Sequence, residues 1–183
     1  RLANTDSLTS LPNRRQFLAE IDELVERCGP RNCSFVVALL DLDGFKAIND
    51  VFGHPAGDAV LIETAARLNA VFDGRDVTVA RLAGDEFGLL IRTPGSDEHV
   101  TQLARKACDI LREPFSFDEG EANLSATIGL ARFPDSAETR SHLFDRADYA
   151  LYFAKHHQKS EPVFFSQEHE RLVFENSALE HAL

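Results

Sequence analysis

The sequence predicts an α+β sandwich: a ferredoxin-like βαββαβ core whose central sheet contains antiparallel strands and is flanked by helices. Three observations carry this expectation. Short apolar runs of strand length alternate with longer stretches of helical periodicity, the order of mixed α and β structure. Two of those runs, Val77 to Leu82 and Phe87 to Ile91, are separated by a Gly/Asp turn and read as a hairpin inside the alternation. A length of 183 residues with 44% hydrophobic content is enough for one well-cored domain.

Asn13 is an N-cap for a helix that runs to about Arg27, with Phe17, Leu18, Ile21, Leu24 and Val25 on one face, and Gly29-Pro30 stops it. Residues 34 to 41 are almost continuously apolar, the pattern of a strand buried on both faces. Gly57 to Phe72 reads as a helix with Val60, Leu61, Ala65 and Leu68 inward, and residues 97 to 112 as another that ends before Pro114. Asn123 to Phe133 alternates, with Ala126, Ile128 and Leu130 inward, as a strand does. Ser141 to His157 is the last core helix. The adjacent His156 and His157 fall on different sides of it and read as surface residues. Val163 to Phe165 is expected to be a short terminal strand, and Ser166 to Leu183 an amphipathic helix carrying Leu172, Phe174, Leu179 and Leu183. No internal repeat or low-complexity tract is visible.

Composition narrows the function. A net charge of −11 argues against nucleic acid or an anionic membrane as partner. No apolar run is long enough to span a bilayer, and no signal-peptide pattern opens the chain. Cys28, Cys33 and Cys108 are odd in number and form no CxxC pair, which predicts reduced, mostly buried thiols and a cytoplasmic location. The Asn32-Cys33-Ser34 and Asn123-Leu124-Ser125 sequons then carry little weight. The chain starts at Arg1 rather than Met, so a piece of a longer protein is expected.

Chemistry concentrates in two acidic elements. Asp85 and Glu86 lie side by side next to Gly84 in the hairpin turn, where like charges raise each other's pKa unless a cation offsets them. Taken alone, the turn is equally readable as an ordinary hairpin connection. The second element is Asp41-Leu42-Asp43, at the end of the buried strand. Residues i and i+2 of a strand share a face, so both carboxylates emerge together. Oxygen-rich sites of this kind suit hard cations such as Mg²⁺. If strand and hairpin are neighbours, Asp41, Asp85 and Glu86 converge.

Four ordered blocks, Asp6 to Arg15, Asp41 to Leu61, Ala83 to Phe87 and Ala147 to Lys155, resemble the GGDEF domain of the diguanylate cyclase family. The resemblance implies a palm-like fold over residues 1–165. It also implies condensation of two GTP into cyclic di-GMP with release of two pyrophosphates, in bacterial second-messenger signalling. Catalysis would require Mg²⁺, or Mn²⁺ in its place, and a second GGDEF domain meeting the first face to face. By the same resemblance, Asp41, Asp85, Glu86 and the backbone carbonyl of Leu42 are metal ligands. Asp85 and Glu86 are the catalytic pair, Glu86 as ligand or general base. Gly84 lets the turn approach the nucleotide, Asn49 and Asp58 read guanine, and Lys46 and Lys155 contact the triphosphate. The donor and acceptor chemistry of Asn49 and Asp58 suits guanine.

Three departures matter. Ala83 stands where the family has its first glycine, harmless if its φ is negative and crowding if it is not. Lys159 takes a position that is usually arginine, keeping the charge without the planar fork. Gly74-Arg75-Asp76-Val77 lacks the key residues of the family's RxxD set, so feedback binding of cyclic di-GMP there is not expected. The tail from Phe164 to Leu183 resembles the hinge that joins a GGDEF domain to an EAL phosphodiesterase domain, which makes 166–183 a linker. An alternative is therefore a weak or inactive GTP-binding module that regulates an attached EAL domain.

Overall fold

The computed structural model describes residues 3–157 and 161–182. Its centre is β1 (Phe35–Asp43), in which Phe35 through Leu40 have 0% exposure. The strand is covered twice. Phe35, Val37 and Leu39 pack beneath α1 (Arg14–Arg31) and α5 (Arg140–His157). Val36, Ala38 and Leu40 join a larger core with α3 (His54–Phe72) and α4 (Asp97–Leu111). Side chains of successive strand residues point to opposite faces, so an unbroken apolar run is what a two-sided core requires.

β1 pairs antiparallel with β3 (Glu86–Ile91) on one side and β6 (Ser125–Phe133) on the other. Outside β3 lies β2 (Val77–Ala83), and outside β6 lies the parallel two-residue β7 (Val163–Phe164). The sheet order is β2-β3-β1-β6-β7, the predicted ferredoxin-like arrangement with one added edge strand.

Four features depart from expectation. A separate helix, α2 (Phe45–Phe52), precedes α3, framed by Gly44 and Gly53 at φ 86° and 89°, angles that glycine alone adopts freely. α3 starts at His54 rather than Gly57, because Pro55 sits in its first turn, where its missing N–H is not needed. A small hairpin, β4 (Phe115–Phe117) with β5 (Gly120–Ala122), fills the stretch before β6. α1 continues through Pro30 to Arg31 and ends at Asn32 in the left-handed conformation. A proline in the last turn forfeits its own hydrogen bond without breaking the turns before it.

The cysteines also differ from expectation. Cys28 and Cys33 are disulfide-bonded, their Cα atoms 4.9 Å apart, because the end of α1 folds back against the start of β1. Cys108 is the reduced, buried thiol expected, its pKa pushed up to about 12 by burial.

The last helix, α6 (Gln167–His181), lies against α5 through Tyr149 on Phe174 and Phe153 on His169. The exposed His157 stacks on Phe153, and the exposed His156 meets Tyr152 at a tilt. No helix among the described residues is long and apolar enough to cross a membrane.

α5 lies hard against β6 at Gly129, where a Cβ would lie 2.1 Å from the backbone nitrogen of Leu151 and 2.4 Å from the carbonyl oxygen of Ala147. Backbone cannot swing aside as a side chain can. Gly129→Ala should lower the melting temperature by roughly 6–12 °C, from an overpacking cost near 3 kcal/mol. An unchanged melt would contradict this packing.

Candidate functional site

The pairing of β1 with β3 sets Asp41 directly opposite Glu86, and the Leu42 amide donates to the Asp85 carbonyl at 3.3 Å. Directly opposed residues share a sheet face, so the Asp41 and Glu86 carboxylates emerge together on the side of α1 and α5. Asp43 is on that face too, but its Oδ2 already accepts from Thr127 Oγ1 at 2.7 Å and Ser125 Oγ at 3.1 Å. Lys155, in the last turn of α5, reaches across and pairs its Nζ with Oδ2 of Asp41.

The charges are not balanced. Partial burial raises the pKa of Asp85 and of Glu86, and the Asp41 carboxylate raises both further. Asp148, on α5, adds to the field at Glu86. Burial alone would lower the Lys155 pKa, but the hydrogen bond and charge of Asp41 leave it raised. This excess of half-buried negative charge, presented only by oxygen donors, is the environment a hard divalent cation stabilises. The cage is not assembled: among the described residues, no three His, Cys, Asp or Glu side chains are grouped to hold a metal. Strand pairing brings the three acids to one strand end, as anticipated, but their side chains do not converge on a point.

The turn is braced from a distant segment. Gly84 has φ 41°, and a Cβ there would meet nothing within 4 Å, so backbone conformation rather than space calls for glycine. Its carbonyl accepts from Arg81 Nε at 2.9 Å. The Arg81 guanidinium also bonds both carboxylate oxygens of Asp6, at 3.1 and 3.2 Å, and Asp6 in turn accepts from the amide and hydroxyl of Thr9. Burial would raise the pKa of Asp6, and these bonds hold it below the usual range. Ala83 is exposed, and the only non-glycine residues at positive φ among those described are Ser10 and Asn32, so its methyl carries no left-handed strain.

A second group forms at the α2–α3 corner. A Cβ at position 57 would lie 1.8 Å from Oδ1 of Asn49, so the Asn49 carboxamide rests on the bare backbone of Gly57, beside the exposed Asp58. α2 starts just after Asp43 and carries the exposed Lys46 in its first turn. The structure therefore places Asp41, Leu42, Asp85, Glu86 and Lys155 together, with Asn49 and Asp58 as a neighbouring pair at the next corner. Lys159 lies outside the described residues. The Asp6–Arg81 brace escaped sequence reasoning because its members are 75 positions apart with no periodic relation. Asp148 escaped it too, although its block was recognised; nothing in that block says which helix face meets the acids.

Neutralising one acid should relieve the repulsion. In metal-free buffer near neutral pH, Glu86→Gln should melt above the native chain, by about 2–4 °C per kcal/mol relieved. A carboxyl whose pKa is raised on folding destabilises the fold above its raised value and imposes nothing below its ordinary one. The advantage of the variant should thus disappear in melts below the ordinary glutamate value of 4.5. A variant that melts lower at neutral pH would contradict this electrostatic reading.

A family model described as "Diguanylate cyclase, GGDEF domain" matches residues 3–161. Over 165 residues the chain is 39% identical to the bifunctional diguanylate cyclase/cyclic di-GMP phosphodiesterase MucR of Pseudomonas aeruginosa, covering 90% of this chain and 24% of MucR. It is 37% identical over 154 residues to the diguanylate cyclase TpbB of Pseudomonas aeruginosa, covering 84% of this chain and 35% of TpbB. It thus spans only 24% and 35% of the length of these relatives. A solved structure of TpbB comprising only the GGDEF domain superposes with a TM-score of 0.87 at 33% identity, covering 92% of this chain and 98% of that one. With a matched fold, a strand-end cluster of acids and relatives that agree over most of its length, the chain belongs to the GGDEF domain family, its signature reading Ala83-Gly84-Asp85-Glu86-Phe87.

Proposed function

We propose that this domain is one half of a Mg²⁺-dependent diguanylate cyclase, joining two GTP molecules into cyclic di-GMP with release of two pyrophosphates. The observation that carries the reading is the set of Asp41, Asp85 and Glu86 at one end of β1 and β3, in which the Lys155 ammonium bonds Asp41 while Asp85 and Glu86 keep raised pKa values, beside the Asn49–Asp58 corner. Asp41, Asp85, Glu86 and the Leu42 carbonyl would hold the metal, Mg²⁺ or Mn²⁺. When bound, it supplies charge neutralisation at the phosphates and lowers the cost of forming the attacking oxyanion.

The protein's own groups position the rest. Asp58 accepts from the N1–H and N2–H donors of guanine, and the Asn49 amide addresses its acceptor edge, which favours GTP over ATP. Lys46 and Lys155 meet the triphosphate, joined by Lys159 in the family's arginine position. Gly84 keeps the turn low beside the nucleotide. The 3′-hydroxyl of one GTP attacks the α-phosphorus of the other and its proton passes to Glu86. The new P–O bond forms as the bond to pyrophosphate breaks, and the same step on the partner closes the ring. A second GGDEF domain is required because each domain brings one nucleotide.

The acids of the signature are intact and Ala83 imposes no left-handed strain, which supports turnover over a binding-only role. We further infer that residues 1–165 are the catalytic domain and that the segment from Ser166 leads toward an EAL domain in a longer protein. MucR, named as bifunctional, supports that arrangement.

Incubation with GTP and Mg²⁺, followed by chromatography, should yield cyclic di-GMP, with no product from ATP. A chain that forms none even when two copies are forced together sinks the cyclase assignment. Gly57→Ala, whose methyl would displace the end of the Asn49 side chain and press on the Phe45 ring at 3.3 Å, should shift the melt by no more than a few degrees. It should cut discrimination between GTP and ATP roughly tenfold, the equivalent of one base contact near 1.4 kcal/mol. Discrimination at the native level would remove Asn49 from the guanine site.

A further inference from the structure

We propose that Lys155 is the resident counter-ion of Asp41, and that it makes this site selective for a metal–triphosphate complex over the free divalent cation; this rests on the nucleotide-binding reading above. Three contacts define the arrangement. The Lys155 ammonium bonds Oδ2 of Asp41. The next carboxylate on the strand, Asp43, has its Oδ2 engaged by the Thr127 and Ser125 hydroxyls. No three acidic, histidine or cysteine side chains among the described residues stand ready as a cage. Asp41 is thus the carboxylate that a divalent ion must share with Asp85 and Glu86, and it already carries a cation.

The two ligand forms differ in what they offer Lys155. A free divalent ion competes with the ammonium for Asp41 and leaves the displaced lysine close to its own double charge. A metal–triphosphate complex competes for the same carboxylate but brings phosphate oxygens to which the ammonium can transfer. Lysine suits this exchange: it is a compact point charge on a flexible four-carbon stem, and its side chain here is 36% exposed. The transfer couples the two ligands. Nucleotide strengthens metal binding by releasing Asp41, and by reciprocity metal strengthens nucleotide binding by the same factor. Lys155 is in this sense a positioning residue that acts on the metal through Asp41 before it meets phosphate.

The test is a titration of the whole chain with Mn²⁺, read by the free-ion electron paramagnetic resonance signal, with and without a GTP analogue that cannot be cyclised. Without nucleotide, Lys155→Met should bind Mn²⁺ roughly tenfold more tightly than the native chain, the order expected when a partly exposed charge contact is removed. The gain in Mn²⁺ affinity on adding the analogue should shrink correspondingly. Lys155→Arg, which keeps the charge, should bind Mn²⁺ alone no more tightly than the native chain. A Lys155→Met chain with unchanged or weaker Mn²⁺ affinity overturns the proposal, whether or not cyclic product is formed by the native protein. An equal gain from Lys46→Met, on the neighbouring helix, overturns it as well, because the effect would then be the general field and not the Asp41 contact. Loss of the analogue's effect in the native chain would instead count against the nucleotide site itself.

Discussion

The double pairing of β1 is the constraint on which the rest of the structure depends. Bonded on both edges and packed on both faces, the strand has no freedom to shift by one residue, since a slip would exchange its two apolar faces and carry Asp41 from the α1 and α5 side to the other. Register therefore becomes chemistry: because Leu40 opposes Phe87, Asp41 must oppose Glu86. The acids gather through packing energy spent along the strand behind them, and nothing about the carboxylates themselves favours their meeting.

That arrangement has an electrostatic cost, met in part by neighbours from three directions. Lys155 on α5 answers Asp41, the β6 hydroxyls answer Asp43, and Arg81 fixes the turn that carries Asp85 and Glu86. Asp85 and Glu86 themselves are left with raised proton affinities. Half-buried acids set this close hold electrostatic stress, and neutralising one of them is expected to stabilise the fold.

Glycine shapes the site at close approaches. Gly129 lets α5 lie on β6 with backbone nearly touching backbone, which brings Lys155 within reach of Asp41, and Gly57 lets the Asn49 carboxamide lie on α3. Gly88 serves the same purpose under α1, where a Cβ would come within 2.7 Å of the Phe17 ring.

The sequence by itself determined the sheet and its acids. Phe35 to Leu40 announces a two-sided strand, the Gly84 turn announces a hairpin, and Asp41, Asp85 and Glu86 then fall at strand ends, because these signals are local and periodic. The helix of Phe45–Phe52, the β4–β5 hairpin and the continuation of α1 past Pro30 were not legible, since short elements draw their stability from tertiary contacts and weak local propensity does not mark them. The Cys28–Cys33 bond ran against the count and spacing of the cysteines, which say nothing of how the chain returns from α1 to β1. Only the tertiary structure decided that Asp41 is held by a lysine 114 positions away and that Gly84 is braced through Arg81 to Asp6. Contacts at such separations depend on the packing of α5 on β6 and of the N-terminal segment on β2, and no periodicity in the chain records them.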